Sequence, residues 1–244
     1  EVRMLVKAGR TAEAQSRLAE LRRVNPGYPG LAALTAEVSR QVAVDLEYDE
    51  IARAVTVDLQ AGSTTGFLSF AGFETISGSG NSDIVLGSAG NDVFALSAAG
   101  TFSIVGIAFT SFENINGAAG SDTLNYNAYP VSVSVDLDTL TATGLDSFTS
   151  IEAIQGSSHS DTVLGTSGDD TFAMSVAGAF TAGGIAFTSF ENIDGSAGND
   201  LLDYSAYLTA VTVSLPSQAS GLTSFTAIEN IHGSLLNDTV LGTA

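Results

Sequence analysis

The side chains most able to do chemistry in this chain are carboxylates at regular spacing. Asp83, Asp92, Asp122, Asp161, Asp170, Asp200 and Asp238 each stand sixth in a nine-residue form, with Gly first and an apolar residue eighth. The forms begin at Gly78, Gly87, Gly117, Gly156, Gly165, Gly195 and Gly233. Gly-rich stretches of this kind are turns, and Asp is at home in them because its side chain bonds its own backbone. Glutamates recur too: Glu74, Glu113, Glu152 and Glu191 are spaced by 39 residues, and Glu229 follows after 38. Like charges stacked in a column repel, so they must be spread, solvated or bridged by a cation. Asn114, Asn192 and Asn230 recur as a potential amide ladder at a turn. His159 and His232 do not occupy equivalent positions, so no His-based site is expected. The absence of Cys excludes disulfide scaffolds, Cys-based metal sites and thiol catalysis.

These carboxylates must be positioned by a repeating scaffold. Gly106 to Ile115 recurs unchanged as Gly184 to Ile193, 78 residues later, and the Glu spacing marks a half-period of 39. Self-similarity at such a period predicts a solenoid. Val131 to Val135 and Val211 to Leu215 alternate apolar and polar residues, the period of a half-buried strand. All 13 Phe fall in this region, and most recur at the repeat offset. We therefore expect a mainly β fold, a right-handed parallel β-solenoid. Its repeated Phe, with Ile115, Ile154 and Ile193, should stack coil upon coil in a narrow core. Two coils per 39 residues would give coils of about 20 residues; three coils per 78 residues is the alternative.

The nonapeptides resemble the calcium-binding repeat of RTX proteins, Gly-Gly-x-Gly-x-Asp-x-apolar-x. Examples are Gly87-Ser-Ala-Gly-Asn-Asp-Val-Phe-Ala95 and Gly195-Ser-Ala-Gly-Asn-Asp-Leu-Leu-Asp203. The resemblance implies a parallel β-roll whose turns offer backbone carbonyls and Asp carboxylates to Ca²⁺. That ion takes six to eight hard oxygens from a flexible loop. The seven aspartates are thereby the candidate metal ligands, and Ca²⁺ is the one cofactor implied. The second Gly is absent from all seven copies, and the fourth-position Gly survives as Gly90, Gly120, Gly168 and Gly198. Copies run back to back only at 78–95 and 156–173. The wider unit, including Leu124 to Tyr129 and Ile151 to Gly156, is similar to units of RTX-like adhesins and β-strand-repeat proteins of bacterial surfaces.

Charge divides the chain. The formal net charge is -19. Every Lys and Arg lies at or before Arg53, so residues 1–44 are net basic and residues 45–244 are strongly acidic. A nucleic-acid partner is not expected, because no basic face accompanies the repeats. No apolar run is long enough to span a membrane as a helix. The first segment reads as a helical hairpin or cap over 1–44, with helices over 11–24 and 31–43 separated by Asn25-Pro26-Gly27. Its Gly9, Ala14, Leu18, Leu21 and Pro26 resemble the second helix of a tetratricopeptide repeat. The solenoid is assigned to 45–244. The chain starts at Glu1 and stops mid-pattern, which suggests a piece of a longer protein.

These readings converge on a structural, secreted, extracellular or cell-surface solenoid. It would form or extend a bacterial surface filament, stalk or adhesin. Its expected partner is itself, in a head-to-tail homopolymer or as neighbouring repeats, with a basic end steered to an acidic body. No catalytic residue and no enzyme activity are expected. β-Solenoids that cleave acidic polysaccharides need cationic side chains for the uronate, and residues 54–244 contain none. The alternative is a secretion and folding module of a larger secreted enzyme.

Overall fold

A computed structural model describes residues 2–7, 11–39, 54–65 and 73–242. The chain forms two units, Glu1–Ala54 and Val55–Ala244. The 44/45 boundary read from the sequence, and the end of the helix expected to reach residue 43, lie outside the described residues. In the first unit, helix α1 is Val2–Lys7 and helix α2 is Thr11–Val24, and residues 31–39 are also helical. The α1 helix was not evident from spacing. Helix α2 carries Glu13 in its first turn and Arg22 and Arg23 in its last, each complementing the helix dipole. Ala14 and Leu18 pack with Val2, Leu34 and Val38 in a small core. Ion pairs Arg3–Glu37 and Arg17–Glu20 decorate the surface.

The second unit is a mainly β parallel solenoid of about 6 turns. Its strands are only two to six residues long, because Gly-rich turns interrupt every apolar run. The chain alternates between one 11-stranded sheet and a wall of three shorter sheets. On the long sheet, single parallel strands such as Thr123–Asn125 and Ala153–Gln155 stand among two three-stranded meanders. One meander is Val93–Ala98, Thr101–Ile104 and Ile107–Thr110. The other is Thr171–Val176, Ala179–Ala182 and Ile185–Thr188. Comparable meanders occur on the opposite wall: Ser134–Asp136, Thr141–Ala142 and Ser147–Thr149, then Thr212–Ser214, Gln218–Ala219 and Ser224–Thr226. The short sheets there are linked by bridges Ala142–Leu145 and Ala219–Leu222. The Phe148 N–H to Leu140 carbonyl and Phe225 N–H to Ser217 carbonyl bonds continue the link.

This topology accounts for the two spacings in the sequence. Between one meander and the next, the chain crosses the solenoid three times. An odd number of crossings places successive meanders on opposite walls. A shift of 39 residues therefore changes wall, and a shift of 78 returns to the same wall. The two walls make different demands, so Phe102 and Phe109 on one wall have Ala142 and Phe148 as their counterparts on the other.

Coil length is corrected. Hydrogen-bonded residues on adjacent parallel turns are 27 to 33 residues apart, not about 20, and not three coils per 78. Each turn contains a meander that doubles back within its sheet, consuming residues without advancing the coil. The stacking of aromatics is corrected for the same reason. Phe94, Phe102, Phe109 and Phe112 pack ring to ring within one meander, with centroids 5.9, 5.3 and 5.4 Å apart. Phe172, Phe180, Phe187 and Phe190 reproduce this at 6.1, 5.2 and 5.3 Å. These rings, with Ile115, Ile154 and Ile193, form one continuous core.

Two buried tyrosines in equivalent places differ by one hydrogen bond. Tyr204 donates its hydroxyl to the Ser220 carbonyl at 2.8 Å, whereas the buried Tyr126 hydroxyl has no partner. Burial pushes both phenols above their ordinary pKa. Removing an unpaired buried hydroxyl relieves desolvation, and removing a paired one strands its acceptor. Tyr204→Phe is expected to cost about 1 kcal/mol and Tyr126→Phe to be neutral or stabilising. Urea denaturation of both variants reads the difference.

Candidate metal site

The first Gly of each nonapeptide is required by close approach across turns of the solenoid. A Cβ at Gly78 would lie 1.9 Å from the Ser111 carbonyl oxygen and 2.4 Å from Asp83 Oδ2. Gly117 faces the Ser150 carbonyl in the same way, Gly156 faces Ser189, and Gly195 faces Ala227. Those four carbonyls belong to residues held at positive φ, between 49° and 58°. The left-handed backbone aims the carbonyl at the glycine of the neighbouring turn. Each glycine thus leaves a cradle lined by two hard oxygens, one carbonyl and one carboxylate.

The carboxylates fall into two classes. In five turns the second residue is Ser or Thr and caps the sixth-position Asp. Ser79 donates its N–H to Asp83 Oδ2 at 2.5 Å and its hydroxyl to Oδ1 at 3.0 Å. Ser88 does the same for Asp92 at 2.6 and 3.0 Å, and Thr166 for Asp170 at 2.6 and 3.0 Å. Ser157 caps Asp161 at 2.7 and 2.9 Å, and the Ser234 hydroxyl reaches Asp238 at 2.7 Å. Three of these Asp also accept a backbone N–H from the adjoining turn, from Val55, Val133 and Val211.

The turns at Gly117 and Gly195 differ. Their second residues, Ala118 and Ser196, sit at φ 74° and 71°. This backbone turns their N–H groups away from the Asp and onto Asn116 Oδ1 and Asp194 Oδ1. Asp122 and Asp200 then accept on Oδ1 alone, from the N–H groups of Asp92 and Asp170 at 2.8 Å. Their Oδ2 atoms are buried with no hydrogen-bond partner. Asp122 is 1% and Asp200 0% exposed. Burial raises both pKa values, and the neighbouring carboxylates Asp92 and Glu152, or Asp170 and Glu229, push the same way. At Asp238 the Val211 N–H and the Ser234 hydroxyl hold the carboxyl below its ordinary range.

The glutamate column has a structural role that the sequence pattern did not disclose. Asp83 donates its N–H to Glu113, Asp122 to Glu152, Asp161 to Glu191 and Asp200 to Glu229, at 2.7–3.0 Å. Each Glu caps an Asp one turn away. The regular spacing of Glu with Asp was the available signal. The Asn residues do serve the turns: Asn114 and Asn192 donate to the Asp83 and Asp161 carbonyls, and Asn230 donates to Asn199 Oδ1. His232 is exposed and lies 3.2 Å from Asp203.

Residues 69–98 and 154–172 match the RTX calcium-binding nonapeptide repeat, in 4 copies. The match covers the two back-to-back pairs, containing Asp83, Asp92, Asp161 and Asp170, and leaves Asp122, Asp200 and Asp238 outside. RTX repeats of this kind bind calcium and are typical of secreted proteins. The matched segments give no support to a tetratricopeptide likeness in the helical segment. No curated protein matches the chain.

The residues present fit a hard cation unevenly. Oxygen-only donors and glycine cradles suit Ca²⁺. The buried, unpaired oxygens of Asp122 and Asp200 would be satisfied by one. Among the described residues, no three His, Cys, Asp or Glu side chains are grouped to hold a metal. Any site must therefore draw on backbone carbonyls as well as carboxylates. No helix among the described residues is long and apolar enough to cross a membrane.

Proposed function

We propose that this chain is a structural, secreted, calcium-binding solenoid module that forms or extends a bacterial surface filament, stalk or adhesin. The observation that carries the reading is the uninterrupted stack of turns, in which each turn caps the next through backbone and carboxylate. Such a stack transmits order along one axis and leaves strand edges open at its ends. At one end the last described strand, Thr239–Leu241, pairs only with Thr212–Ser214. Leu235 and Val240 beside that edge are 92% and 67% exposed. A second copy, or further repeats of the same chain, would cover these groups, and repeated head-to-tail contact yields a filament. Ca²⁺, when bound, supplies positive charge to a strongly acidic surface. The residues act as ligands and spacers, and no catalytic residue is assigned.

The match to RTX repeats also favours a second reading, a secretion and folding module of a larger secreted enzyme. Negative-stain electron microscopy of the purified chain, in millimolar calcium and in chelator, separates the two. Filaments in either condition support self-stacking, and filaments in calcium alone make the ion the assembly switch. Discrete short rods in both conditions overturn self-assembly and favour the module reading.

A further inference from the structure

We infer that the calcium capacity of this solenoid resides in the turns of Asp122 and Asp200, and that Ser and Thr hydroxyls have replaced the ion in the other five. The inference rests on the calcium-binding reading above and assigns it to particular residues. It runs against the family pattern, because both turns lie outside the segments that match the RTX repeat.

The two classes of turn differ in what the carboxylate lacks. At Asp83, Asp92, Asp161, Asp170 and Asp238, a hydroxyl at the second position donates to the carboxylate at 2.7–3.0 Å. A donated proton satisfies a carboxylate lone pair much as a cation would, without leaving the chain dependent on a free ion. The RTX pattern has Gly at that position and offers no such donor. Gly117 and Gly195 are followed instead by Ala118 and by a Ser196 whose backbone directs its N–H onto Asp194. No donor reaches Asp122 Oδ2 or Asp200 Oδ2, and both atoms are buried.

The surroundings of these two oxygens are those of a cation site. The carbonyl of Ser150 and Asp122 Oδ2 converge on the space left by Gly117, at 2.0 and 2.5 Å from where a Cβ would stand. Ala227 O and Asp200 Oδ2 do so at Gly195, at 1.9 and 2.5 Å. Asp92 and Glu152 add negative potential around the first, Asp170 and Glu229 around the second. A buried, unpaired carboxylate oxygen amid other acids is costly, and a bound divalent ion removes the cost. The stacked turns brace the pair. Gly120 and Gly198, at φ 132° and 140°, pack so closely on the Gly90 and Gly168 carbonyls that no side chain fits.

The test is calcium titration by isothermal calorimetry on the full chain, with circular dichroism to verify folding. The intact chain should bind one ion at each of the two turns. Asp122→Asn and Asp200→Asn should each remove one ion, and the double variant should remove all binding. Asp83→Asn should leave the stoichiometry unchanged. Ser157→Gly, which removes the capping hydroxyl from Asp161, should add an ion. Binding of four or more ions to the intact chain, or full stoichiometry in the double variant, overturns the inference and leaves the calcium-binding reading standing. No heat and no binding by equilibrium dialysis in millimolar calcium overturns that reading as well. If either Asn variant fails to fold, Ser157→Gly and Asp83→Asn still decide, since an unchanged count in the first or a lost ion in the second contradicts the assignment.

Discussion

Phe112→Asp is expected to abolish cooperative folding of the β unit. Phe112 is fully buried, its ring set edge-on to Phe109 at 5.4 Å. Its backbone N–H bonds the Gly100 carbonyl, so the side chain cannot swing out without breaking the hinge of the meander. A carboxylate there has no donor among the surrounding rings. An unpaired charge in such a place costs more than the roughly 5–15 kcal/mol that holds a domain together, or forces the group to take up a proton. Phe112→Leu, which keeps the site apolar at similar volume, should cost less than about 1.5 kcal/mol. Thermal melting by circular dichroism distinguishes the two. An unchanged transition in Phe112→Asp would mean that the ring cluster is not the core.

The second large effect is expected at Gly195. An added Cβ would stand 1.9 Å from the Ala227 carbonyl oxygen, which is backbone and cannot rotate aside. Gly195→Ala must therefore push two turns of the solenoid apart, at a cost of about 3 kcal/mol or more. Gly168 gives the contrast within the same family of turns. Its Cβ would meet nothing closer than Thr166 Oγ1 at 3.7 Å, and its φ is not positive. Gly168→Ala should be neutral or stabilise by up to about 1 kcal/mol through the unfolded chain. Urea midpoints of the two variants should fall on opposite sides of the parent or differ by most of that total. Equal midpoints would show that the carbonyl approach does not hold the turns together.

Much of this fold was legible because turn chemistry and core packing act locally. The Gly and Asp of each nonapeptide mark a turn, and the apolar eighth residues Val85, Phe94, Leu124, Val163, Phe172 and Leu202 all lie in strands and are fully buried. The coil length was not legible. A strand that doubles back within its sheet, such as Thr101–Ile104, has the same alternation as one that advances to the next turn. Periodicity reports which face a residue occupies, not which strand pairs with it. The division of the aspartates was hidden for a related reason. Ser79 and Ser196 are the same residue type at the same position, yet one caps its Asp and the other does not. The difference lies in a backbone that turns left-handed at Ser196, with Asp194 waiting to accept its N–H. Asn116 offers Ala118 the same acceptor, and an acidic or amide residue just before the first Gly is the trace this leaves in the sequence.

The most direct test of a calcium-stabilised structural solenoid is the melting temperature of the intact chain, measured in chelator and in millimolar calcium. An ion that binds only the folded state, present at 100 times its dissociation constant, adds about 2.7 kcal/mol per site. At roughly 2–4 °C per kcal/mol for a unit of this size, the transition should move up by at least several degrees in calcium. The same transition temperature in both solutions would contradict the account, since the buried oxygens of Asp122 and Asp200 would then be tolerated without a cation.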